Sequence, residues 1–289
     1  MSFSTLSRSG ALLLAIAPTV ACGQSSEPPA RTVLDRHDFR QMSARFDLPG
    51  RLDEISGLAI TPDGRLFAHD DERALVHEID RLTGEVGKRF SAGDPPIRGD
   101  FEGIAIVGDR FFLVTSVGLL YELREAEDRA EAPYRVSDTE LGASCEVEGL
   151  DYDPVDEALL FACKVSRPDR GAIVVHRVPL DPTRGALPPL LVPRSQLLDH
   201  GIEADFEPSA IAVDPTGTFL MVSAPIESLI EVDRSGRVVA GLRLSRVWHP
   251  QPEGLAFGPD GTLYIADEQN GQEAHITAYE RVPERGPVR

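Results

Sequence analysis

A chain of 289 residues with 42% hydrophobic content is long and apolar enough to bury a core, which excludes disorder as the state of most of it and leaves one large domain or two small ones. Its 47 Asp and Glu outnumber 29 Lys and Arg, a formal charge of −18 that excludes a partner held by phosphate neutralisation, nucleic acid above all. Cations and cationic ligands suit such a chain, although a generally solvated acidic surface yields the same count.

The N-terminus reads as a targeting segment. Arg8 is the only charged residue before Cys22, and Ala11 to Ala17 form an apolar run too short to span a bilayer. Thr19-Val20-Ala21-Cys22 resembles a bacterial lipobox, in which the cysteine is acylated and becomes the new N-terminus; Thr19 stands where Leu is usual, so ordinary cleavage nearby is the alternative. Residues 1–21 are therefore expected to be a signal peptide and Cys22 a lipid anchor. Residues 22–40 are expected to form a flexible tether, clearest over Gly23 to Arg31, and residues 41–289 the folded domain. The expected location is the cell envelope, on the periplasmic side of the outer membrane in a Gram-negative cell. Membrane contact would be through lipid alone, and the protein is expected to be a monomer.

Five hairpin-like stretches follow in chain order: EISGLAITPDGRLFAHDDE from Glu54, FEGIAIVGDRFFLVTS from Phe101, VEGLDYDPVDEALLFACK from Val147, PSAIAVDPTGTFLMVSAP from Pro208, and PEGLAFGPDGTLYIADEQN from Pro252. Each has two apolar, β-favouring runs around a Pro/Asp/Gly turn. Gly57, Gly103, Gly149, Ala210 and Gly254 are spaced by 46, 46, 61 and 44 residues. A further strand follows each of the first four hairpins, at Ala74–Asp80, Leu119–Arg124, Ala172–Val178 and Ser228–Asp233. Strand-rich units of this length are the mark of β-propeller blades. The tail, with AHITAYERV, and the early SARFDLP complete one more unit, so the expected fold is an all-β, five-bladed propeller whose termini share a blade. Six blades would need one hidden near the termini or in the 61-residue step, where the Pro-rich stretch from Pro179 to Glu207 reads as a long loop.

In a propeller the first strand of each blade lines the axis, and its start and the end of the next strand share one face. Ser56, Glu102, Glu148, Ser209 and Glu253 are then expected to ring the channel mouth. His69, Asp70, Asp71, Glu72, Thr115, Ser116, Lys164, Arg167, Ser223, Glu227, Asp267, Glu268 and Asn270 would border it. Crowded carboxylates must protonate, pair with Lys164 or Arg167, or admit a cation. Glu102, Glu148 and Glu253 are the candidate ligands for a divalent metal, and oxygen donors favour Ca2+. Asp70, Asp71, Lys164, Arg167, Glu268 and Trp248 are candidate ligand-binding residues, Trp248 as a stacking wall. His69, with Asp267, is a candidate base. The same pattern has a structural reading: Gly allows close backbone approach at the axis, and Glu can bond to strand-end amides.

Cys145 and Cys163 flank EVEGLDYDPVDEALLFA and would face each other across a hairpin, so export would favour a disulfide. The chain has no Gly-x-Ser-x-Gly elbow, phosphate loop or His-Glu-x-x-His.

DFEGIAIVGDRFFLVTS followed by LLYEL, then CEVEGLDYDPVDEALLFACK and QPEGLAFGPDGTLYIADEQN, in that order, resemble the SdiA-regulated family of bacterial envelope proteins, in the wider company of NHL-type and lactonase-type propellers. The likeness spans roughly residues 42 to 282. It implies a secreted or anchored propeller with carboxylates before the repeated Gly, matching Glu102, Glu148 and Glu253; Ser209-Ala210 stands in place of Glu-Gly in the fourth repeat. The expected function is a binding module presenting an acidic face to an envelope ligand or protein. A metal-dependent hydrolase of esters, lactones or phosphoesters is the alternative.

Overall fold

The repeating hairpins close into a ring. A computed structural model describes residues 31–283, together with Met1, so the expected signal peptide, Cys22 and most of the tether lie outside the described residues. Twenty strands form five four-stranded antiparallel sheets, the blades of a five-bladed propeller. One blade joins the two ends of the fold: β1 (Ala44–Asp47) pairs with β20 (His275–Tyr279), beside β19 (Leu263–Asp267) and β18 (Pro252–Phe257). The others follow in order. The first comprises β2 (Ile55–Ile60), β3 (Leu66–Asp70), β4 (Leu75–Ile79) and β5 (Val86–Ser91). The second comprises β6 (Phe101–Val107), β7 (Arg110–Thr115), β8 (Leu119–Arg124) and β9 (Tyr134–Asp138). The third has β10 (Cys145–Asp153), β11 (Ala158–Ser166), β12 (Ala172–Pro179) and β13 (Leu190–Pro193), and the fourth β14 (Ala210–Val213), β15 (Phe219–Ser223), β16 (Ser228–Val232) and β17 (Val238–Arg243). Among the described residues no helix is long and apolar enough to cross a membrane.

The hairpin turns follow from local chemistry. At Pro259-Asp260-Gly261 the proline presets φ, and the glycine takes φ +81°, where a side chain would be strained. The Gly258 amide donates to Thr262 O and the Gly261 amide to Gly258 O, both at 2.8 Å.

The core is distributed over five seams between neighbouring blades, each an apolar cluster drawn from two sheets. Phe67, Phe90 and Phe111, for example, meet edge to face between the first and second blades, with centroids 4.9–6.5 Å apart. Inner strands approach at the repeated glycines. A Cβ on Gly103 would sit 2.7 Å from both the amide nitrogen and Cβ of Leu150 on the next blade, so any side chain there would force the seam open.

Two boundaries differ from the sequence reading. The Pro179–Glu207 stretch is not a bare loop: it supplies β13, the outer strand of the third blade, and buries Leu197, Ile202 and Phe206 in the seam with the fourth. Proline-rich composition hid a four-residue strand that has few ladder bonds to make. The folded domain also begins before residue 41. A short helix, α1 (Val33–Arg36), capped by Thr32 and Asp35, packs Val33 into the seam between the fourth and closing blades. Arg36 donates to Asp214 at 2.9 Å, the Val282 amide donates to Arg36 O at 2.7 Å, and His37 Nε2 donates to Gly261 O at 2.9 Å. This strap links both blades at their turn ends.

Cys145 and Cys163 are disulfide-bonded, with Cα atoms 5.4 Å apart. They are not directly opposed: Cys145 faces Ser166 and Cys163 faces Val147, because irregularities at Glu146–Gly149 shift the register. Replacing both by Ser is expected to lower stability by about 3 kcal/mol, read as a reduced denaturant midpoint; an unchanged midpoint would refute a structural contribution. Gly103→Ala should cost about 1–3 kcal/mol by overpacking the seam, whereas Gly185→Ala, with nothing within 4 Å, should leave thermal unfolding unchanged.

Candidate functional site

Four inner strands share an irregularity just before their glycine. In β2, β6, β10 and β18 the ladder skips Ser56, Glu102, Glu148 and Glu253, so each is a bulge residue without a cross-strand partner. A bulge re-aims its side chain and leaves it free of the pleat. This repeated device explains why a Glu-Gly pair opens an apolar strand: the glycine lets the strands meet, and the glutamate before it leaves the ladder at the channel mouth. The fourth blade lacks the device. Ser209 precedes β14, and its hydroxyl donates to Pro252 O at 2.7 Å, tying the inner edges of two blades together.

The glutamates share one mouth. Ser56 Oγ donates to Glu102 Oε2 at 3.1 Å, and Lys164 Nζ donates to Glu148 Oε1 at 3.0 Å and lies 4.0 Å from Glu146. Among the described residues no Lys or Arg forms an ion pair with Glu102 or Glu253. Burial, then the charges of Glu148 and Asp100, push the Glu102 carboxyl up to about 8. Burial raises Glu148 to about 7 against the opposing pull of Lys164, and burial with Glu148, Glu268 and Glu102 holds Glu253 well above the usual carboxylate range. The Lys164 ammonium is opposed by its own burial, but Glu148 and Glu146 more than compensate, and its pKa rises.

The predicted border residues divide. Asp71 lies at the mouth, pushed up to about 7 by burial and by Glu54, Asp70 and Glu268; Glu268, also raised by burial, accepts from Gln251 Nε2. Asp70 is buried, raised to about 6 by burial, and one of its oxygens lacks a partner. Arg167 does not join the carboxylates: it is exposed, and its guanidinium donates to Gly142 O at 2.8 Å. Trp248 is half-buried, with its carbonyl accepting from His275 Nε2 at 2.9 Å.

Neither candidate base opens onto the mouth. His69 is fully buried against Gly57, its Nδ1 donates to Asp70 O, and burial lowers it to about 4. Asp267 is fully buried as well. It accepts from His249 Nδ1 at 2.7 Å and from the Gln251 amide at 3.2 Å, and lies 3.4 Å from His275 Nε2, while His249 Nε2 meets the Tyr279 hydroxyl at 2.7 Å. Both residues sit at strand ends, but Asp267 turns into the closing blade and His69 packs against Gly57 within the first blade.

Metal geometry follows the same division. Among the described residues two groups of three His, Cys, Asp or Glu side chains bring ligand atoms within 4.8 Å of one another: His249, Asp267 and His275, and Cys145, Cys163 and His176. The first is closed by its own hydrogen bonds, and in the second the sulfurs are bonded to each other. Glu102, Glu148 and Glu253 are not such a group, so a cation held by all three would require them to move closer together.

One ring was missed in the sequence. Two residues before Ser56, Glu102, Glu148, Ser209 and Glu253 stand Glu54, Asp100, Glu146, Glu207 and Gln251. Asp100 bears on Glu102 and Glu148 and accepts from Ser116 Oγ, Glu54 bears on Asp71 and Glu268, and Glu146 bears on Glu148 and Lys164. Glu207 and Gln251 line a cleft of about 320 Å³ with Lys164, Arg246, Glu253 and Asn270. The period-two spacing was the available signal.

Solved structures share the ring. A glutaminyl cyclase from Myxococcus xanthus superposes with a TM-score of 0.58 at 15% identity, over 84% of this chain and 97% of that one. A luciferin-regenerating enzyme superposes with a TM-score of 0.52 at 11% identity, over 80% and 92%. At such identities the likeness is one of fold. No curated protein sequence matches the chain. The sequence model of the SdiA-regulated family matches residues 36–271, nearly the whole of the propeller and every glutamate of its mouth, and this chain belongs to that family.

Proposed function

We propose that the propeller is an envelope binding module whose acidic channel mouth takes a cation, either Ca2+ or the cationic group of a ligand. One observation carries this reading: three bulged glutamates crowd a mouth in which Lys164 pairs with one of them, and Glu102 and Glu253 have no basic partner among the described residues. Burial and mutual repulsion favour the protonated forms of carboxylates so placed, and a cation that enters relieves the crowding.

A metal-dependent hydrolase is the second reading, favoured by Glu148. A carboxyl near 7 beside an ammonium is tuned for proton transfer at neutral pH. In that role Glu148 or Glu102 replaces His69 and Asp267 as the base. The solved propellers that resemble this chain include enzymes, but at 15% identity or less they carry no substrate over to it.

Calorimetric titration of Ca2+ into chelator-treated residues 31–289 is expected to show binding that weakens at least about tenfold, roughly 1.4 kcal/mol, in Glu148→Gln. Absence of heat, together with a melting temperature indifferent to calcium, would sink the metal form of the proposal. Turnover of aryl esters or phosphoesters that is lost in Glu148→Gln would establish the hydrolase.

The raised carboxyls also set a pH dependence. Glu102 holds its proton in the folded state up to about 8 but releases it near 4.5 when unfolded. Its contribution is complete below 4.5 and is lost as pH rises through 8. Buried His69 and His77, lowered from 6.5 to about 4, act with the opposite sign only below about 6.5. Between pH 6.5 and 8 stability should therefore fall by up to about 1.4 kcal/mol per pH unit for each proton released, read as a falling melting temperature. Glu102→Gln should flatten that slope, and an unchanged slope would show that the carboxyl is ionised throughout.

A further inference from the structure

At the opposite end of the axis the inner strands splay into a vestibule of about 420 Å³, lined by the turn-side halves of all five inner strands. Its walls are mostly hydrocarbon: Ile60, Val107, Val213 and Phe257 are only partly covered, and Val155 at the rim is 65% exposed. One carboxylate on these walls has no ion pair among the described residues. Asp151 accepts from the Val213 amide on one oxygen and from the Tyr152 amide on the other, both at 2.7 Å. The neighbouring guanidiniums are committed elsewhere, Arg36 to Asp214 and Arg234 to Asp153 and Asp156. Each Asp151 oxygen retains a second lone pair.

We propose that this vestibule is a second binding site, distinct from the acidic mouth, for a small apolar molecule bearing a protonated amine, with Asp151 as its counter-ion. A carboxylate among carbon walls without a cation is the complement of an apolar ammonium, and the volume lies in the range of small-molecule sites. Burial, which raises Asp151 to about 7, shows how weakly the site solvates that charge. The bland role for Asp151 is to bridge the third and fourth blades through the Val213 amide; that role uses one lone pair and leaves the cavity unexplained.

The test compares phenethylamine with phenylethanol, cation and neutral molecule of nearly one shape, by ligand-observed NMR titration at pH 7.5. The amine is expected to bind more tightly than the alcohol. Asp151→Asn should weaken amine binding by at least about tenfold while leaving the alcohol unaffected. Should Asp151→Asn misfold through loss of the amide bridge, Val155→Arg, at an exposed position, places a competing cation at the rim and should weaken the amine selectively. Equal affinity for amine and alcohol, no binding of either, or amine binding unchanged in both Asp151→Asn and Val155→Arg would each overturn the proposal.

Discussion

The structure depends on how closely five inner strands approach the axis. At Gly103 the neighbouring backbone leaves no room for a methyl group, and the same contact recurs where Gly149 meets Ala210 and where Gly254 meets Gly57. That proximity closes the ring and brings together the residues just before the glycines. A bulge at four of the five positions then frees the preceding side chain from the ladder. Fold and candidate site are thus one construction: the contact that demands glycine crowds the glutamates beside it.

Crowding has an electrostatic consequence that organises the two ends of the channel differently. At the mouth, carboxylates from several blades raise one another and share a single ammonium, so the end is acidic yet able to hold protons. At the turn end, a lone aspartate sits among aliphatic walls, with its nearest basic neighbours bonded to other acids. On our proposals both ends take positive charge, one a compact ion or charged group in polar surroundings, the other a cation carried on an apolar body. Between them the distributed seams hold the blades together without a central core.

The strap adds a link that the hairpins alone do not supply. Arg36 and His37 tie the turn ends of the fourth and closing blades, and β1 completes the sheet begun by β18. The ends of the folded chain therefore secure the seam between the last blade in sequence and its predecessor.

Repeats spaced by about 45 residues, turn chemistry and apolar alternation determined by themselves the five blades, the shared closing blade, the inner strands and the nearness of the two cysteines, because each is written in local pattern. They also placed Glu102, Glu148 and Glu253 on one face, since strand polarity fixes which ends meet. Only the tertiary structure decided which side chains at those ends reach the opening. His69 and Asp267 occupy strand ends as expected but turn inward, where Gly57 leaves room for one ring and two histidines with a tyrosine enclose the other. Arg167 swings away to a carbonyl, and the outer ring of Glu54, Asp100 and Glu146 acts through space across blades, which no local window reads. Side-chain direction at a strand end depends on bulges and on the neighbouring blade, and both are properties of the closed ring.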